Sequence, residues 1–230
     1  MSEITSSPEP ARPLFREGQT IVLDGDSRTS RRVGPALVTW PYLRMNNWQV
    51  TWADRFEEWI FCNRPELQLK LYNAAVGGSA AADVQQRYEA MVKPLKPDWV
   101  ILSVGSNDRF RTTPAALRTT LADYAQRLRG DSSGRLLLLV THPPGRYGEP
   151  IPDAALWCDS MREAVAAHGG RYVDLSTAIA EKERALKTLW EHHTIRTGPD
   201  DHFNAIGAEI ISTLMLQACG LISITSGTTP

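Results

Sequence analysis

At 230 residues, with 42% apolar and 22% charged residues, the chain has the size and make-up of one globular α/β domain with a sizeable core. Its 25 basic and 26 acidic residues leave a net charge of −1, which speaks against a nucleic-acid partner or an acidic membrane surface. The scattered cysteines Cys62, Cys158 and Cys219 have neither metal-ligand spacing nor the pattern of a disulfide framework, and they read as small buried thiols in a reducing compartment.

Residues 1–17 carry Ser, Pro and charge without periodicity, and they are expected to form a loosely held arm. The segment from Met1 to Pro10 lacks the basic and apolar regions of a secretory leader, and no apolar run approaches the ~18 residues of a membrane span. A cytoplasmic location is therefore expected. A first strand is predicted at Thr20–Asp24. From Arg28 to Thr51 no strand or helix period is visible, yet the stretch holds Trp40, Tyr42 and Trp48. So long a connection directly after Ser27 reads as a wall or partial lid of a site, or as a loop whose aromatics pin it to the body.

Further along, a helix is predicted at Trp52–Asn63, a strand at Gln68–Asn73 and a helix at Ala80–Val92. A strand at Trp99–Val104 precedes a helix at Pro114–Leu128, which Thr113 can cap and Pro114 can open. A strand at Arg135–Thr141, a helix at Asp153–His168 and a strand at Arg171–Leu175 continue the alternation. Helices at Thr177–Leu189 and Ala205–Ala218 close it, and residues 223–230 form a second polar tail. Short apolar runs alternating with helical patterns signify a parallel sheet with helices on both faces. One domain is expected over residues 1–230.

Ligands of such sheets bind at the carboxyl ends of the strands. The first strand ends in Asp24-Gly25-Asp26-Ser27, the second in Asn73 to Ser79 with Gly77-Gly78, and the third in Gly105-Ser106-Asn107-Asp108. These loops are neighbours if strand one lies between strands two and three. Asp200-Asp201-His202-Phe203-Asn204 stands just before the last helix. Taken singly, each segment reads equally well as a turn or a helix cap. Together they hold the parts of an acyl-transfer site. Ser27 is a candidate nucleophile and His202 its base. The backbone N–H groups of Ser27 and Gly78 and the side-chain amide of Asn107 are candidate oxyanion donors.

These four segments resemble the four sequence blocks of the SGNH (GDSL) hydrolase superfamily, and they span residues 21 to 207. The stretch Lys96-Pro97-Asp98-Trp99-Val100 is also similar to what many bacterial members carry. The resemblance implies a flavodoxin-like three-layer α/β/α sandwich with a five-stranded parallel sheet in the order 2-1-3-4-5. It makes Ser27 the nucleophile and first oxyanion donor, Gly78 and Asn107 the other donors, and His202 the base. Relatives of this size include lysophospholipase-like esterases and carbohydrate O-acetyl esterases. The family usually places its acid three residues before the histidine, and here that residue is Pro199. Asp200, or else Asp201, then orients His202, unless a backbone carbonyl does so in a Ser–His dyad.

Other histidines read as structural: His142 in a loop, His168 and His192-His193 at helix ends. An α/β-hydrolase elbow fails at Ala81 of Gly77-Gly78-Ser79-Ala80-Ala81, and no phosphate-binding glycine motif follows a strand. No cofactor or metal is expected. The expected partner is a small-molecule ester, with self-association left open. A short acyl group on a sugar or another polar alcohol is the favoured substrate, with Trp40 and Trp48 facing the ring and Arg28, Arg31 or Arg32 meeting an acidic group. The alternatives are a lysophospholipid or thioester at the same site, and a non-catalytic flavodoxin-like binding module.

Overall fold

Side-chain alternation along each strand decides which layer a residue joins. The computed structural model describes residues 13–30, 50–141, 145–146, 149–150, 153–189 and 202–223. Five strands, β1 (Thr20–Gly25), β2 (Lys70–Asn73), β3 (Trp99–Ser103), β4 (Arg135–Val140) and β5 (Arg171–Asp174), pair in parallel in the order β2-β1-β3-β4-β5. This is the expected flavodoxin-like order. The register sets Ile21 beside Trp99 and Gly25 beside Ser103, so the loops after β1 and β3 leave the sheet at one level.

Among the described residues six helices cover the sheet: α1 (Trp52–Asn63), α2 (Ala81–Met91), α3 (Pro114–Ser132), α4 (Ala154–Ala166), α5 (Ser176–Leu189) and α6 (Ala205–Ala218). Ile21, Leu23 and Ile101 point to one face, where Trp52 and Phe56 of α1, Ile179 of α5 and Ile211 of α6 meet them. Val22, Val100 and Leu102 point to the other face, against Val84 and Tyr88 of α2, Leu121 of α3 and Trp157 of α4. Both faces are thus dry, which is why β1, β3 and β4 read as unbroken apolar runs. Each fully buried Leu or Ile contributes about 1.5–3 kcal/mol over its exposed state.

Local chemistry explains where the helices begin. Thr51 accepts from the Asp54 N–H while the Asp54 carboxylate accepts from the Thr51 N–H, a reciprocal cap on α1. Thr113 caps α3 as its sequence suggests, with its Oγ1 3.3 Å from the Ala116 N. Asn204 accepts from the N–H groups of Ile206 and Gly207, both at 3.0 Å, and so opens α6 directly after the loop that ends in Phe203.

Three differences from the sequence reading have physical causes. Helix α3 runs past Leu128 to Ser132, because Gly130 is tolerated inside it and the stop is Ser133, in the left-handed region at φ 59°. Residues 13–17, expected with the loose arm, are held instead. Phe15 is 2% exposed against Phe56 and Trp99, and the Leu14 N–H donates to the Cys219 carbonyl. Finally, only Cys219 of the three cysteines is buried, while Cys158 is intermediate and Cys62 is exposed on α1. Among the described residues no helix is long and apolar enough to cross a membrane.

Candidate active site

Glycine at position 25 is required by the way β1 meets β3. Its φ of +146° is a conformation side chains rarely adopt, and a Cβ there would lie 2.3 Å from the Ser103 carbonyl oxygen. After Gly25 the chain turns at once. The N–H groups of Thr29 and Ser30 donate to the Asp26 carbonyl at 3.1 and 3.0 Å, and the Asp26 carboxylate accepts from the Arg28 N–H at 2.9 Å. The Thr29 carbonyl in turn accepts from Asn73 Nδ2 at 2.9 Å, which ties this turn to the end of β2. Ser27 therefore sits on a tight, internally bonded turn at the carboxyl edge of the sheet.

Its hydroxyl meets a residue 175 positions away. Ser27 Oγ lies 2.7 Å from His202 Nε2, a direct hydrogen bond between two half-buried side chains. The next loop flanks the pair: a Cβ on Gly77 would lie 3.7 Å from Ser27 Cβ. Gly78 follows at φ +81°, with open space where a side chain would project. From the third loop, Asn107 Nδ2 donates to the Ser79 carbonyl at 3.0 Å and lies 3.5 Å from Asp26 Oδ2. These two contacts hold the side chain to the neighbouring loops.

Two buried acids lie behind this surface. Asp108 is 1% exposed and accepts from the Ala81 N–H at 2.9 Å and the Gly105 N–H at 3.0 Å, joining the second loop to the third. Burial raises its pKa, and those two donors oppose the shift. Asp24 is fully buried beside Arg87, and burial outweighs the guanidinium, lifting the carboxyl from 3.8 to about 6. Neither acid was singled out from the sequence as a site residue. The available signal was Asp24 itself, a charge within an apolar strand.

The structure brings Ser27, Gly78, Asn107 and His202 to one edge of the sheet, as the sequence predicts. Arg28 stands at the same place, its Nη1 bonded to Ser106 Oγ. Beside Ser27, a cavity leaves about 20 Å³ for the centre of a water-sized sphere, between Arg28, Trp52, His202, Phe203 and Ala208 among others. Asp200 and Asp201, Trp40, Trp48, Arg31 and Arg32, and His142, His192 and His193 lie outside the described residues.

The model of the GDSL-like lipase/acylhydrolase family matches residues 25–210. The chain belongs to that family. Three curated relatives carry related segments. Esterase TesA of Pseudomonas aeruginosa is 35% identical over 34% of this chain and 39% of its own. Thioesterase 1/protease 1/lysophospholipase L1 of Escherichia coli is 24% identical over 59% of this chain and 57% of its own. An acetylxylan esterase of Geobacillus stearothermophilus is 38% identical over 20% of this chain and 22% of its own. The matched segments thus span between about a fifth and three fifths of those relatives.

Solved structures agree on the fold. That of an acetylxylan esterase from Geobacillus stearothermophilus superposes with a TM-score of 0.69 at 19% identity, over 93% of this chain and 99% of the other. An α/β hydrolase from the metagenome of Lake Arreo gives 0.67 at 21% identity, over 91% and 99%. This GDSL-family chain thus has the SGNH fold from the described N-terminal segment to α6.

Proposed function

We propose that the chain is a serine esterase acting on short-chain esters, with Ser27 as nucleophile. The observation that carries the reading is the 2.7 Å hydrogen bond between Ser27 Oγ and His202 Nε2, set between the loops of Gly78 and Asn107. A serine hydroxyl becomes nucleophilic when a base takes its proton as it attacks, and His202 is the base within reach. Attack of Oγ on the ester carbonyl carbon places negative charge on the carbonyl oxygen. The N–H groups of Ser27 and Gly78 and the side-chain amide of Asn107 receive it. Collapse breaks the ester C–O bond, the leaving alcohol takes the proton from His202, and an acyl group remains on Ser27. Water, deprotonated by the same histidine, then releases the acid. Asp200 is the acid assigned to hold the His202 tautomer and to stabilise the imidazolium.

Two observations favour a short acyl group. The cavity against Ser27 is about 20 Å³, and roughly 10–15 Å³ by the same measure accommodates one water, so it suits a group the size of an acetyl methyl. One matched relative is an acetylxylan esterase. Arg28, together with Trp40 and Trp48, is assigned to a polar or sugar leaving group. The match to a thioesterase and lysophospholipase supports longer acyl chains as the second reading.

Wild type and Ser27→Ala should be assayed on p-nitrophenyl acetate and p-nitrophenyl octanoate. Turnover of the acetate that vanishes in Ser27→Ala is the expected result. Retained activity in that variant would overturn the nucleophile assignment, and strong preference for the octanoate would replace the short-acyl reading with the longer one.

A further inference from the structure

Arg87 lies on α2, away from every residue to which the proposed reaction assigns a step, yet its guanidinium reaches into the loops that carry the oxyanion donors. Its side chain is 13% exposed and faces the fully buried Asp24, with Nη2 2.5 Å from Asp24 Oδ1. The same nitrogen donates to the Gly25 carbonyl at 2.9 Å, and Nη1 donates to Ser79 Oγ at 2.8 Å. Three acceptors, two at the end of β1 and one on the loop after β2, are thus gathered by one planar fork.

Each acceptor adjoins an assigned donor. Gly25 is two residues from Ser27 and also accepts from the Val76 N–H at 3.1 Å, which begins the turn bearing Gly77-Gly78. Ser79 closes that turn, its hydroxyl donating to the Val76 carbonyl at 2.7 Å. The Ser79 carbonyl, in turn, is the acceptor that aims Asn107 Nδ2. Moving Ser79 therefore shifts the Gly78 N–H and the Asn107 amide together, relative to Ser27.

We propose that Arg87 is a positioning residue for the oxyanion hole, fixing the turn of Gly78 and the amide of Asn107 against the strand end that carries Ser27. Stability alone is a weak reason for such a pair, since apolar residues of similar volume commonly replace buried ion pairs at no loss. Lysine would keep the charge beside Asp24 but cannot span the three acceptors in one plane. The proposal rests on Ser27 and His202 as the reacting pair.

The experiment begins with wild type and Ser27→Ala on p-nitrophenyl acetate. Absence of Ser27-dependent turnover there removes the esterase reading itself, before Arg87 is touched. With that turnover established, Arg87→Lys is compared with wild type in kcat and KM, with circular dichroism and Tm reporting the fold. Loss of an oxyanion donor costs about 10²–10³ in kcat, so a displaced hole should lower kcat by about tenfold or more with KM changed less than about threefold. Binding of phenylboronic acid, which forms a tetrahedral adduct on serine, should weaken by a similar factor. If Arg87→Lys does not fold, the neutral pair Asp24→Asn with Arg87→Gln is measured in the same way. A folded variant with kcat within about threefold of wild type, or a loss carried by KM alone, overturns the proposal.

Discussion

Asp24 makes a quantitative statement about stability that runs against the usual behaviour of a salt-bridged carboxylate. Its side chain is fully buried, and Oδ2 finds no hydrogen-bond partner among the described residues, while Oδ1 holds Arg87 and the Gly25 N–H. Burial is the largest influence and raises the pKa from 3.8 to about 6, against the pull of Arg87. The folded state therefore binds the Asp24 proton more tightly than the unfolded chain does. Stability from this group is greatest below pH 3.8 and falls as pH rises through about 6. The shift, 6 − 3.8, is about 2.2 units, which at 1.36 kcal/mol per unit gives about 3 kcal/mol. Asp24→Asn has no proton to lose, so the difference between wild type and this variant isolates the effect. Urea unfolding of both proteins between about pH 4 and about pH 7 should show wild type losing about 2 kcal/mol of this relative to the variant, since part is already lost at pH 4. A difference that stays flat, or wild type gaining with pH, would mean that Arg87 rather than burial governs Asp24, and would refute the reasoning.

Other perturbations test the site and its support. Asn107→Ala should lower kcat on p-nitrophenyl acetate by about 10²–10³ with an intact fold; a loss below tenfold would remove it from the oxyanion hole. Gly25→Ala places a methyl 2.3 Å from the Ser103 carbonyl in a strained backbone, and thermal unfolding should show a loss of about 3 kcal/mol or more. Near-native stability would contradict the close approach of β1 to β3. For the acid, Asp200→Ala and Asp201→Ala should be compared for kcat: a fall of about 10² or more confined to Asp200→Ala assigns the role to it. A few-fold loss in both variants favours the dyad.

The loops of the candidate site were legible because their positions follow from rules that act locally. An apolar run long enough for a strand, followed at once by Gly-Asp-Ser, Gly-Gly or Ser-Asn-Asp, places polar groups at a sheet edge whatever the rest of the chain does. The residues that hold those groups still were not legible, for a reason that is also physical. An arginine on a helix is by default a solvated face residue. Whether Arg87 turns inward depends on where α2 packs against the end of β1, which no local pattern reports. Phe15 is the apolar counterpart, a lone aromatic in a polar segment whose burial depends on Phe56 and Trp99, 41 and 84 residues away.

Asp24 lies between these cases. A carboxylate inside an apolar strand must find a buried partner or stay protonated, so the sequence points to a buried partner without naming which one. The structure supplies Arg87, and the partner's other contacts reach Gly25 and Ser79. A buried charge of this kind is costly to retain. Its placement one residue before Gly25, where the strand gives way to the turn of Ser27, puts that cost at the point where three loops have to keep a common geometry.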